Sequence, residues 1–226
     1  MKVNKILITF LLMLFTLNLY SCKPEEVYNR EYNESEVLLY ARELIEKSLV
    51  LNEILYGEGL AYDENVGVGI YKQATNESLA KYQIENMKSL TDKIEAVFSD
   101  SYIRTINSSD IFNSVTDDGV IVSYSRYFED ETEDEGEEKI SKILVNSKYD
   151  YFLKNKYEYI GDISVKGSEG EYVIVSALVR ATRADGKSRD FNLDIKLIEE
   201  EDGWRISTPT YIVYNEYTDI YEDMIK

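Results

Sequence analysis

The sequence predicts an α+β fold, with N-terminal helices packed on a curved antiparallel sheet. Three observations carry this. Apolar residues recur at helical spacing early in the chain, they alternate at period two from about residue 114 onward, and Asp-Gly pairs punctuate the later half at hairpin positions.

The first element is a helix over Glu34 to Tyr56. Val37, Leu38, Ala41, Leu44, Ile45, Ser48, Asn52 and Leu55 fall on one helical face and are mostly apolar, and Asn33 followed by Glu36 fits a capping box. "YGEGLAYDENVGVG" (56–69) breaks that period with four glycines and reads as a loop. It is neither a Walker loop nor a dinucleotide fingerprint, because no Gly-Lys-Ser/Thr follows and no strand precedes it. Residues 70–76 read as a short extended piece, and 76–87 as a helix or turn. Ser89 then caps a helix whose apolar face is Leu90, Ile94, Val97 and Phe98. "SDSYIRTI" (99–106) adds a turn that places Tyr102 and Ile106 beside that face.

The strand region opens with Val120 to Phe128. Ile140 to Leu153 is apolar and aromatic enough to pair but irregular, and the pattern leaves it open. Tyr157 to Lys166 is a second strand. Tyr172 to Thr182 is apolar on both alternations in its middle, which predicts a central position in the sheet. Asp185-Gly186 makes a hairpin turn into Phe191, Leu193, Ile195 and Leu197, which alternate with polar residues. Asp202-Gly203 turns the chain again, and Trp204 to Tyr214 returns. Residues 215–226 form a short acidic tail. No low-complexity linker divides residues 34–226, which are expected to form a single domain.

Ahead of this region lies an export signal. Lys2 and Lys5 precede an apolar run, Ile6 to Leu19, that is shorter than the roughly 20 residues a membrane span requires. The run ends Leu19-Tyr20-Ser21-Cys22, and Cys22 is the chain's one cysteine. This stretch resembles the lipobox of bacterial lipoproteins, with Leu at −3, Ser at −1 and Cys at +1, although Tyr20 departs from the commoner small residue at −2. The resemblance implies that residues 1–21 are a signal peptide, that Cys22 is lipidated with diacylglycerol, and that it becomes the new N-terminus. Two acyl chains bury enough methylene for stable anchoring at the cell membrane, on its extracytoplasmic face. Residues 22–33 then form a tether. The bland alternative is a lone cysteine buried as a small hydrophobe.

Composition narrows the function classes. Net charge is −18, and becomes −20 once Lys2 and Lys5 leave, since residues 1–21 hold no acid. Such a surface repels nucleic acid, anionic lipid and anionic wall polymers, and is open to cations or a basic partner. The chain has no histidine, which removes the commonest general base and the commonest zinc ligand, and with them Ser-His-Asp and Cys-His arrangements. No cofactor-binding, metal or catalytic residue can be assigned.

"LYGEGL" after a long helix, the helix-turn "IEAVFSDSYIRTI" and a late "EEDGWRISTPTY" together resemble the cone-shaped α+β domains of the nuclear-transport-factor-2-like (cystatin-like) superfamily, as found in Gram-positive lipoproteins. The resemblance spans roughly residues 34–214 and implies a cavity between sheet and helices, with Trp204 plugging the core. Some members of that superfamily are isomerases, dehydratases or hydrolases using Asp, Tyr and His. Others bind or dimerise without catalysis.

Two constellations stand out. "EDETEDEGEE" (129–138) holds eight acids in ten residues. It reads as a solvated loop, a weak divalent site or a docking site for a basic partner, and it fails the EF-hand pattern because Glu135 stands where Gly is required. Tyr211, Tyr214, Tyr217 and Tyr221 are spaced for a helical stripe, whereas Pro209 and the run 211–213 favour a strand and edge packing. The expected function is a membrane-anchored, non-enzymatic module binding a small ligand or an envelope protein. The alternatives are a small isomerase or hydrolase with an Asp/Tyr pair, or an inhibitor of cell-wall hydrolases.

Overall fold

The computed structural model describes residues 31–107, 110–112, 116–117, 120–121, 125–132 and 140–212. Helix α1 spans Glu34–Tyr56, and the Asn33 side chain accepts the amides of Ser35 and Glu36. Two acids, Glu34 and Glu36, sit in its first turn, where the helix dipole favours them. The helix is 23 residues long, about 34 Å at 1.5 Å per residue. Its buried stripe (Val37, Ala41, Leu44, Ile45, Ser48, Asn52, Leu55) follows the 3.6 period, and widens at Leu51, Ile54 and Tyr56 so that the last turn is enclosed.

The glycine-rich stretch is a hairpin, not the expected loop: β1 (Tyr62–Val68) pairs antiparallel with β2 (Tyr71–Ala74). Its register shifts between Tyr62 and Gly67, and a Cβ on Gly67 would lie 2.1 Å from the Tyr71 carbonyl oxygen. Glycine there permits the close strand approach that hides the strand from a simple alternation test. Helix α2 (Asn76–Tyr82) follows, capped by Thr75. Helix α3 is Met87–Glu95, and its N-cap is Asn86, three residues before the cap expected at Ser89. Ser89 is instead the reciprocal member of the capping box, its hydroxyl accepting from the Asn86 amide. Helix α4 is Asp100–Asn107.

The strand expected over Val120 to Phe128 is divided. β3 (Thr116–Asp117) and β4 (Val120–Ile121) form a small hairpin, and β5 begins at Tyr127 and runs to Thr132. Ser125 and Arg126 lie between, their side chains turned to the interior instead of joining a ladder. Strand β6 (Ile140–Asn146) resolves the open stretch, and β7 (Lys156–Glu169), β8 (Tyr172–Thr182), β9 (Ser188–Glu200) and β10 (Gly203–Ile206) complete the set. The return strand is thus shorter than expected, ending at Ile206.

The molecule is α+β, but it holds two four-stranded sheets, not one. The first has the order β1-β2-β6-β5 and the second β10-β9-β8-β7. Within both, neighbouring strands pair antiparallel. Strand β8 has a partner on each side, as its apolar middle requires, and Val173, Val175, Ala177 and Val179 form its inward row. Opposite them on β9 stand Leu197, Ile195, Leu193 and Phe191. Helix α1 packs against β7 and β10. Trp204 on β10 is 6% exposed and belongs to one core cluster with residues of α1 and both sheets. Cys22, residues 133–139 and the tail with Tyr214, Tyr217 and Tyr221 lie outside the described residues.

Candidate functional site

The C-terminal end of α1 organises the surroundings of the candidate site. The last carbonyls of a helix have no partner within it. Here each finds one: Glu53 accepts the amides of Gly57 and Gly59, Ile54 the Tyr127 hydroxyl, Leu55 the Arg126 guanidinium, and Tyr56 the Leu153 amide. Arg126 is 2% exposed and also donates to Gly57 O at 2.6 Å and to the Tyr127 hydroxyl at 3.2 Å. Its guanidinium lies 4.9 Å from the ring centroid of Tyr149 and 5.4 Å from that of Tyr127. The negative end of the α1 dipole and two aromatic faces therefore offset this buried charge. Gly59, at φ +80°, leaves room for it, because a Cβ would stand 2.0 Å from Nη2. Sequence reasoning passed over Arg126. Its only signal was a cation inside the strand-like run "SYSRYF".

The segment after β10 is fastened to the same helix. Thr210 Oγ1 accepts from Asn52 Nδ2 at 2.7 Å and pairs with Ser48 Oγ at 2.8 Å, all three residues being buried. This brings Tyr211 onto α1. The rings of Tyr56, Phe152 and Tyr211 form a mutual cluster with centroids 5.2–5.7 Å apart. Tyr102, whose ring packs on Phe98, brings its phenol into electrostatic interaction with those of Tyr56 and Tyr211. Burial, foremost, pushes the phenol pKa values of Tyr56, Tyr102 and Tyr211 above the ordinary range. Of the four tyrosines proposed as a stripe, Tyr211 is the one described, and it packs against an aromatic cluster.

Two cavities flank the segment 153–157, and both are lined by Leu153 and Tyr157. The first, about 430 Å³, has Phe152, Tyr157 and Ile212 as its apolar wall, with Lys154, Asn155, Arg183 and Asp185 around it. The Tyr157 hydroxyl donates to Ile212 O at 2.7 Å, closing that wall. The Asp185-Gly186 turn positions the other side: Arg183 N donates to Lys187 O, and Lys187 N donates to Asp185 Oδ1 at 3.2 Å. That amide bond, foremost, holds the Asp185 carboxyl below its usual range. The second cavity, about 490 Å³, lies between α1 and β7 and carries Glu46, Glu53, Lys81, Tyr82, Lys156 and Tyr159. Both volumes fall in the range of about 300–1,000 Å³ typical of small-ligand sites.

An Asp/Tyr catalytic pair in a closed pocket would need a desolvated carboxylate. No Asp or Glu is buried among the described residues. Nor is a metal-binding cluster of His, Cys, Asp or Glu found among them. The beginning of the acidic run is structural: Glu129 on β5 accepts the Met87 amide at the start of α3 and the Ser141 hydroxyl on β6. A carboxylate there complements the helix dipole. Among the described residues no helix is long and apolar enough to cross a membrane. No protein-family model, curated protein or solved structure matches this chain.

Proposed function

We propose that this protein is a lipoprotein held by Cys22 at the extracytoplasmic face of a cell membrane, and that its folded part is a non-enzymatic module binding a small ligand or another envelope protein. The observation that carries the reading is the sequence Leu19-Tyr20-Ser21-Cys22 directly behind a short apolar run that opens with two lysines. Tyr32 packs against the core and Asn33 caps α1, so the nine residues 23–31 separate anchor from fold, a reach of about 30–32 Å when extended. A nuclear-transport-factor-2-like (cystatin-like) architecture belongs to the same proposal. Its support is a long helix packed on a four-stranded antiparallel meander, to which the β1-β2-β6-β5 sheet is an addition.

Binding without catalysis is supported by the absence of histidine from the chain and by the lack of a fully buried Asp or Glu among the described residues, where an Asp/Tyr pair would need one. The test is Cys22→Ser. The wild-type protein should fractionate with membranes and carry a diacylglyceryl mass on Cys22, and the variant should be soluble. Membrane association that persists in the variant, together with an unmodified wild-type thiol, would sink the anchor reading.

A further inference from the structure

We propose that the cavity beside Phe152, with Lys154, Asn155, Arg183 and Asp185 around it, binds an acidic sugar, a carboxylate-bearing pyranose within a glycan. This rests on the reading of the folded part as a binding module and names the class of its ligand. Three features select that class. The chain as a whole is −18, yet Lys154, Arg183 and the adjacent Lys187 outnumber Asp150 and Asp185 around this cavity, a local excess of positive charge that favours an anion. Two ion pairs of these cations are long and exposed, Arg183 to Asp185 at 3.7 Å and Lys154 to Asp150 at 3.4 Å, and Lys154 also lies 3.7 Å from the Tyr151 ring centroid. Surface pairs of this kind contribute little, so a ligand carboxylate can share the cations at small cost.

Phe152 supplies the second feature. Its side chain is large, apolar and 44% exposed, yet its ring is held from behind by those of Tyr56 and Tyr211. A fixed, solvent-facing ring suits the flat C–H face of a pyranose, and ordering it costs no further rotamer entropy on binding. The third is the pair of neutral and acidic hydrogen-bonding groups. The Asn155 amide can donate to and accept from sugar hydroxyls, and the ionised Asp185, oriented by the Lys187 amide, accepts from them.

The experiment is calorimetric titration of the full chain, kept in mild detergent, with digalacturonic acid and with lactose as the neutral disaccharide. Digalacturonate should bind at least about tenfold more tightly than lactose and weaken with added salt, and Phe152→Ala and Arg183→Gln should each weaken it by about tenfold, Arg183→Gln at an unchanged melting temperature. Equal binding of the two sugars overturns the acidic class while leaving a binding module. Digalacturonate affinity unchanged in both variants overturns the site, and no binding of digalacturonate overturns the proposal outright. Binding with the expected pattern, accompanied by hydrolysis of digalacturonate, would keep the sugar site and overturn the non-enzymatic reading.

Discussion

Arg126 and Arg205 are both buried, and both donate to carbonyls at the C-terminal end of a helix. Arg126 serves Leu55 and Gly57 at the end of α1, and Arg205 serves Glu95 at the end of α3. They differ in what else they hold. Arg205 reaches the Asp202 carboxylate, three residues earlier, at 2.6 Å. Arg126 is surrounded by carbonyls, the neighbouring Tyr127 phenol and two aromatic rings, and its carbonyl partners lie about 70 positions away in the chain. A cation with a local carboxylate remains partly compensated when its helix moves. A cation whose carbonyl acceptors are distant in the chain ties their positions to its own, and here it joins α1 to the first sheet.

The largest effect is therefore expected at Arg126. Replacing it by Met keeps much of the apolar stem but leaves two buried carbonyls without donors, and should cost about 3–5 kcal/mol in denaturant unfolding. Gly59→Ala attacks the same joint from outside, through a positive φ and a Cβ driven into the guanidinium, and should cost about 2–4 kcal/mol. A midpoint unchanged in both would mean that the joint does not bear on stability. Arg205→Met should cost less, about 1–2 kcal/mol, because Asp202 is exposed and is rehydrated when its partner leaves. Equal losses at the two arginines would abolish the distinction drawn between them.

The smallest effect at neutral pH, and one that grows in alkali, comes from the phenols near Arg126 and along α1. Tyr56, Tyr102, Tyr127 and Tyr211 have raised pKa values, chiefly from burial, which at Tyr127 outweighs the nearby Arg126 charge. Their neutral forms favour the fold. This contribution is complete below the unfolded phenol pKa of about 10 and is lost as pH rises above it, because the unfolded chain then releases protons that the folded one keeps. Phenolate absorbance should rise in two phases, the second coinciding with the loss of near-ultraviolet circular dichroism. One phase complete while that signal persists would show the four rings to be hydrated.

Elements with local causes were legible before any fold was known. Helix α1 starts and stops where Asn33 and the glycines after Tyr56 place its ends, and β8 and the Asp185-Gly186 hairpin follow from alternation and turn chemistry. Elements shaped by distant contacts were not. The bulged β1 shows no alternation of burial, Asn86 displaced Ser89 as a cap, and the expected strand through Phe128 broke at Ser125 and Arg126. The candidate cavity was equally hidden, since Phe152, Arg183 and Ile212 meet only through chain reversals.

By itself, the sequence determined the signal-like start ending at Cys22, the net charge, the lack of histidine and the positions of most helices and strands. These depend on composition, on period and on residues within a few positions of one another. Only the tertiary structure decided that the strands divide into two sheets, that a lone buried arginine closes α1, and that two cations gather beside an exposed ring in an acidic protein. Those outcomes depend on which groups, far apart in the chain, must satisfy each other's charge and hydrogen bonds once water is excluded.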